Sequence, residues 1–404
     1  MNKLNSRLVR NTLALALFSS APALYANTEL DNLKMQIDNL QQQLDALNIN
    51  DLEKQVSAAS EWKTQNALIH MAGYAGVGYM KTSGEDGAFK IASFSPIFHF
   101  QYRDLIMLES ELEFGITPEG ETEAALEYLT ADLFLNDYVT LVTGKFLSPI
   151  GQFRQNTHPS WINKLPSAPP GFGHDGAAPV SDIGVQLRGG VPIGGMRSNY
   201  AVFVTNGPEL NADWDGSAFE LDGVNAEAKN RNIGGDMVFG GRFGLIPMSG
   251  LELGLSLASG SATVTLVEDD SGTAPALGDE AGRNYDVLGF DFNWQYNQLN
   301  VRGEYVKSTV GAATTGVSAS EGENWKTWFT QASYRFSPSK FEGVVRYTNY
   351  DSPNPQIDQK QWALGLNYLM ASNVIAKIAY ESNDGANGSS ADANRILLQL
   401  AYGF

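Results

Sequence analysis

Large apolar residues return at every second position through most of this chain. The stretch 394–404 shows the pattern in its simplest form. Ile396, Leu398, Leu400, Tyr402 and Phe404 share one face, and Leu397, Gln399, Ala401 and Gly403 share the other. Period two marks a strand whose faces meet different surroundings. The same alternation sets Phe98, Phe100 and Tyr102 against His99 and Gln101, and Leu108, Leu112 and Phe114 against Glu109, Glu111 and Glu113. It sets Leu251, Leu253, Leu255 and Leu257 against Glu252, Gly254 and Ser256, and Leu288, Phe290, Phe292 and Trp294 against Gly289, Asp291 and Asn293. The polar face uses Gly, Ser, Gln and single charges, which suits a crowded wet lumen better than the open face of a sandwich. Connections alternate between short turns, such as 136–137, 337–339 and 371–373, and long polar loops, such as 207–230, 264–283, 309–324 and 383–393. Short turns on one side and long loops on the other are the pattern of an outer-membrane barrel. The expected fold is all-β: a transmembrane antiparallel β-barrel of about sixteen strands over residues 65–404.

Helical periodicity appears only ahead of the strands. Leu30, Ile37 and Leu44 occupy one seam, and Leu33, Leu40 and Leu47 the other. This heptad spacing predicts a short α-helical coiled coil over 27–64, on the periplasmic side of the barrel. A lone helix laying the same stripe on the barrel is the alternative, and the seam does not separate dimer from trimer. Residues 1–26 read as a signal peptide: Lys3, Arg7 and Arg10, then the apolar run 13–18, then small residues up to Ala26.

Composition narrows the class. Only 18% of residues are charged, yet no apolar run reaches the roughly 18 residues a membrane helix needs. Strands that face water at every second residue reconcile the two. Cysteine is absent, so disulfide and thiolate chemistry are excluded. The net charge is −18, and removing the signal peptide makes it more acidic still, which excludes nucleic acid as a partner. The partners expected instead are the lipid bilayer, lipopolysaccharide and small hydrophilic solutes.

One connection is different. Alternation stops after Gly144-Lys145-Phe146-Leu147-Ser148-Pro149 and returns near Ile183, across a segment rich in Pro that also holds His158, Trp161, Ile162, Leu165, Phe172 and His174. Its apolar residues would seek a surface. The segment 152–182 is expected to fold into the barrel as a constriction. The alternative is a loop packed on the rim or on a neighbouring subunit.

The motifs GKFLSPIGQF at 144–153, HPSWINKLP at 158–166, PVSDIGVQLRG at 179–189, VTNG at 204–207 and GGRFGLIP at 240–247 resemble those of the phosphate-selective porin O/P superfamily. The N-terminal heptads are similar to those of DcaP-type trimeric porins. The resemblance implies sixteen strands, a homotrimer, a place in the bacterial outer membrane, and passive uptake of small hydrophilic solutes, with phosphate or dicarboxylates as candidate cargo. It implies no cofactor and no enzyme activity. The chain departs from the arginine ladder of phosphate-specific pores. Its inferred lumenal row is mixed: Arg103, Lys145, Arg188, Arg242, Arg302, Arg335, Arg346 and Lys377 point the same way as Glu109, Glu111, Glu113, Asp132, Glu252, Asp291, Glu304, Glu342 and Glu381. Facing rows of opposite charge would set a transverse field across a pore. Arg302 with Glu304, and Arg346 with Glu342, could equally be structural pairs.

Two other functions fit parts of the pattern. One is a structural or tethering barrel with a blocked lumen. The other is an outer-membrane lipase or esterase, for which His158-Pro159-Ser160 is the nearest His–Ser pairing, without a G-x-S-x-G turn. Glu268-Asp269-Asp270 is a charged loop tip, and no metal-ligand spacing stands out.

Overall fold

A bilayer offers the backbone no hydrogen-bond partners, so alternating strands can cross it only as a closed sheet. A computed structural model describes residues 62–64, 67–173, 177–214, 216–225, 229–232, 237–269, 272–316 and 321–404. The expected signal peptide, nearly all of the expected coiled coil, His174 and Asp270 lie outside the described residues.

After a short β1 (Trp62–Thr64), seven wall strands follow: β2 (Ala67–Thr82), β3 (Ala88–Tyr102), β4 (Ile106–Ile116), β5 (Thr122–Asn136), β6 (Val139–Leu147), β7 (Ser181–Ile193) and β8 (Met196–Asn206). A hairpin of β9 (Glu209–Trp214) and β10 (Phe219–Val224) comes next. Nine more wall strands complete the chain: β11 (Met237–Met248), β12 (Leu251–Glu268), β13 (Arg283–Tyr296), β14 (Leu299–Val310), β15 (Glu323–Arg335), β16 (Phe341–Asp351), β17 (Gln359–Ala371), β18 (Val374–Gly385) and β19 (Arg395–Gly403).

Each wall strand pairs antiparallel with the next, β8 skips the hairpin to pair with β11, and β19 returns to β2 in register from Arg395↔Thr82 to Gly403↔Tyr74. Sixteen strands therefore close on themselves and leave no free edge in the wall. Gly73 and Phe404 exchange two backbone hydrogen bonds of 2.9 Å at the seam. The 207–230 connection, expected to be a plain loop, contains the β9–β10 hairpin, and β9 runs parallel to an extension of β12 with Thr263 opposite Glu209.

The faces separate as the alternation predicts. Along β12, Leu253, Leu255 and Leu257 are exposed outward, toward lipid, while Gly254, Ser256 and Ala258 turn inward and are buried. At the short-turn end, Trp294 with Tyr296, Tyr334 with Phe336 and Phe341 with Tyr368 form ring pairs, as an interfacial girdle requires.

One sector of the inner wall breaks the rule that the lumen is polar. Val142, Phe146, Phe203, Val287, Val306, Trp325 and Phe329 face inward and are buried in one apolar cluster. They are covered by Ile150, Phe153 and Phe172 from the 148–180 connection and by Leu210 and Leu221 from the hairpin. Burying each such side chain is worth about 1.5–3 kcal/mol, so this sector anchors both covering segments.

Candidate functional site

The connection 148–180 runs inside the barrel. A short π-helical turn, Phe153–Thr157, follows its entry. Phe153, Phe172 and the wall residue Phe329 form an edge-to-face trio with centroids 5.2 to 6.2 Å apart. Such pairs add about 0.5–1.5 kcal/mol each beyond area burial.

Wall charges and amides hold the loop backbone along its length. Glu304 accepts from the backbone N–H of Gln152 and of Phe153, both at 2.9 Å. Gly151, at φ +75°, lies so close to Glu304 that a side chain there would strike the carboxylate. Lys377 donates to the carbonyls of Ser160 and, at 2.7 Å, Asn163. Arg346 donates to the carbonyls of Ser167 at 3.0 Å and Ala168 at 3.2 Å. Asn367 reaches the Lys164 carbonyl at 2.9 Å, Thr327 the Pro170 carbonyl at 2.7 Å and Ser308 the Ala177 carbonyl at 2.7 Å. Lys164 pairs with Glu342 at 3.0 Å. On the far side, His158 meets the carbonyl of Arg154 and lies 3.4 Å from Tyr74, whose hydroxyl donates to Glu111 at 2.7 Å. Trp161 lies over Gly403, where an added Cβ would sit 2.7 Å from its ring. The loop thus touches the wall from β12 round to β2.

What stays open lies beside the loop, against β7, β8 and β11. A cavity of about 240 Å³ is bounded there by Gln155, Arg188, Tyr200 and Arg242. A second cavity of about 1450 Å³ opens at the short-turn end, around Trp161, Lys164, Arg335 and Ser337. Gln152, Asn156 and Glu252 line both cavities. Glu252 Oε1 accepts from Gln152 at 2.8 Å, Asn199 at 2.9 Å and Arg242 at 3.1 Å. Glu252 thus joins the loop residue Gln152 to the wall residues Asn199 and Arg242.

The candidate lumenal charges divide into three groups. Arg188 and Arg242 border the opening, each matched by acid: Arg188 by Asp132, and Arg242 by Asp291 at 2.6 Å and by Glu252. Arg302, Arg346, Lys377 and Glu111 face inward but are buried under the loop or at its contacts. Arg302 donates to Asn163 at 3.3 Å, and the Gln331 amide, turned oxygen-first, accepts from Arg302 Nε at 3.1 Å. Neither same-strand pairing forms: Glu304 serves the loop backbone, and Glu342 goes to Lys164 rather than Arg346. Arg335 ends β15 in the short-turn vestibule, and Glu109 faces inward beside Tyr128.

Two residues are elsewhere. Arg103 lies past the end of β3 in a turn, at φ +53°, with its guanidinium 5.3 Å from the Tyr102 ring. Alternation carried one residue too far put it in the lumen. Lys145 stands on the outer row, opposite lipid-facing Leu129, and its ammonium donates to the Leu126 carbonyl at 2.6 Å. The neighbouring Phe146 points into the dry sector, which reverses the assignment that apolar means outward.

Sequence reasoning missed Tyr74, Gln152, Asn163 and Asn199. Tyr74 and Asn199 are neutral polar residues on a lumenal row, and Gln152 and Asn163 are neutral polar residues of the loop; neither kind carries a signal of its partner. Outside the spanning strands, Arg231 grips Glu209 with hydrogen bonds of 2.5 and 2.7 Å, which hold that carboxyl below the usual carboxylate range. Among the described residues, no group of three or more His, Asp or Glu side chains is placed to hold a metal ion.

No family model matches the sequence, and no curated protein matches it. Solved structures do resemble it. The outer membrane channel DcaP of Acinetobacter baumannii aligns over 85% of this chain and all of its own, with TM-score 0.56 and 11% identity. An anion-selective porin from Comamonas acidovorans aligns over 84% and 100%, with TM-score 0.55 and 14% identity. OmpT, an outer membrane protein of Vibrio cholerae in its trimer form, aligns over 84% and 100%, with TM-score 0.54 and 10% identity. None of these likenesses singles out the phosphate-selective proteins. The chain has the sixteen-strand barrel fold of general outer-membrane porins.

Proposed function

We propose that this chain is a non-enzymatic outer-membrane porin that passes small hydrophilic solutes by diffusion past the 148–180 loop. The observation that carries this reading is that two cavities stay open beside a loop held against the inner wall by wall side chains, with Gln152, Asn156 and Glu252 lining both. The arginines at the opening are each matched by carboxylates, which leaves a strong local field and little net positive charge. That favours uncharged and dipolar solutes over phosphate or dicarboxylates. A homotrimer belongs to the reading. Its supports are the heptads at 30–47 and the trimer form of the similar OmpT.

Planar-bilayer recording of the purified protein tests this, with reversal potential under a salt gradient. Stepwise conductance in threes with weak ion selectivity is expected. A folded barrel without conductance would overturn the porin reading and favour a tethering barrel, for which the breadth of loop-to-wall contact is the supporting observation.

A further inference from the structure

The short-turn end of the lumen carries a constellation that solute diffusion does not use. His70 on β2 and His99 on β3 are direct cross-strand partners. Their flanking residues Ile69, Met71, Phe98 and Phe100 are exposed outward, so both imidazoles stand on the inner row, partly exposed. The two Nδ1 atoms face each other at 3.2 Å, with ring planes 28° apart. Behind His99, its Nε2 lies 3.3 Å from Glu109 Oε1, which also accepts from Tyr128 at 3.1 Å.

A carboxylate at Nε2 draws the His99 ring proton to that nitrogen and makes its Nδ1 an acceptor, which in the metal-free pair meets the Nδ1–H of His70; a metal takes both lone pairs once His70 carries its proton on Nε2. Carboxylates orient metal-binding imidazoles in this way. The spacing agrees: two nitrogens each about 2.0–2.1 Å from a tetrahedral zinc ion lie about 3.3 Å apart. Cross-strand pairing fixes both Cα positions, so little ordering is needed on binding.

We propose that His70 and His99 bind an imidazole-preferring divalent transition metal, Zn²⁺, Ni²⁺ or Cu²⁺, just inside the short-turn mouth. Glu109 is the positioning residue, and water completes the coordination. Two protein ligands make an exchangeable site rather than a structural one. A bound ion adds positive charge to the wall beside Glu109.

Zinc titration calorimetry on the untagged full-length protein in detergent tests this without requiring that the barrel conduct. One zinc per chain is expected, with affinity falling at least tenfold in both His70→Gln and His99→Gln. Glu109→Gln should weaken binding about 10–100-fold while both ligands remain. No binding by the unmodified protein at about 100 μM zinc, equal binding by both histidine variants, or loss in only one of them would each overturn the two-imidazole site. Copper electron paramagnetic resonance on the unmodified protein needs no variant. Hyperfine coupling to two nitrogens supports the site, and coupling to one or none refutes it.

Discussion

Glu304→Ala tests the claim that wall side chains hold the 148–180 loop. Glu304 is 5% exposed, and its carboxylate accepts the backbone N–H groups of Gln152 and Phe153 just where the loop enters the lumen. Hydrogen bonds contribute about 0.5–1.5 kcal/mol each, so losing two removes about 1–3 kcal/mol of local anchorage. The barrel itself should survive, because the ladders β13–β14 and β14–β15 do not depend on this side chain. The loss falls instead on the equilibrium between seated and displaced loop. At 1.4 kcal/mol per factor of ten, the displaced fraction should rise roughly one to two orders of magnitude if the other anchors hold unchanged. Single-channel recording should then show frequent transitions to a larger conductance. Liposome swelling should admit sugars that the unmodified protein excludes. Unchanged conductance, noise and sugar cutoff in a correctly folded Glu304→Ala barrel would refute the argument that this carboxylate seats the loop.

Asp132→Asn removes the fully buried partner of Arg188, whose side chain is 43% exposed. The reversal potential should shift toward anions, and Arg188→Gln should shift it the other way. Phe404→Ala deletes ring contacts with Phe94 and Tyr402 at the closing seam. A loss of about 1–3 kcal/mol is expected, read as a lower denaturant midpoint for the heat-modifiable form. Leu255→Arg, on the outer row, should cost about 2–4 kcal/mol if it sits near the bilayer midplane, measured by reversible folding into vesicles. The Glu209–Arg231 contact lowers the carboxyl pKa in the folded state, so its stabilisation is present above about pH 4.3 and is lost as pH falls below that. Amide exchange over 209–224 should be slow at pH 6 and quicken, beyond its intrinsic pH dependence, near pH 3.

Period-two alternation is legible wherever the two faces meet lipid and water, and there the strands and their outward rows could be read directly. Leu253, Leu255 and Leu257 are the plain case. It fails where the lumen is dry. Phe146 obeys the sequence rule for a lipid-facing residue yet packs beside Phe153 and Phe172, and the error carried Lys145 to the wrong side. Strand ends fail for another reason: Arg103 continues the alternation, but the chain has already turned, with Leu105 N bonded to Tyr102 O. The prolines of 148–180 and its Trp161 and Phe172 marked a segment that seeks a surface, and Phe172 packs on the inner-wall residue Phe329. The partners were not, because pairing such as Lys164 with Glu342 depends on inter-strand register and loop path.

The charges that looked most like a selectivity filter are those the fold uses up. Arg346 and Lys377 are buried, and the Arg346 Nη and Lys377 Nζ donors go to loop carbonyls and neighbouring amides. A cation whose donors are committed inside the wall cannot also strip water from a passing anion, since both tasks draw on the same few N–H groups. Selectivity must then come from charges that keep a face to water. Around the opening these are chiefly Arg188 and Glu252, of opposite sign. An acid and a base facing one aqueous gap act on a dipole more than on a net charge. The pore should therefore sort solutes by size and polarity first, and a change of preference should follow substitutions at Arg188 or Glu252 rather than at Arg346 or Lys377.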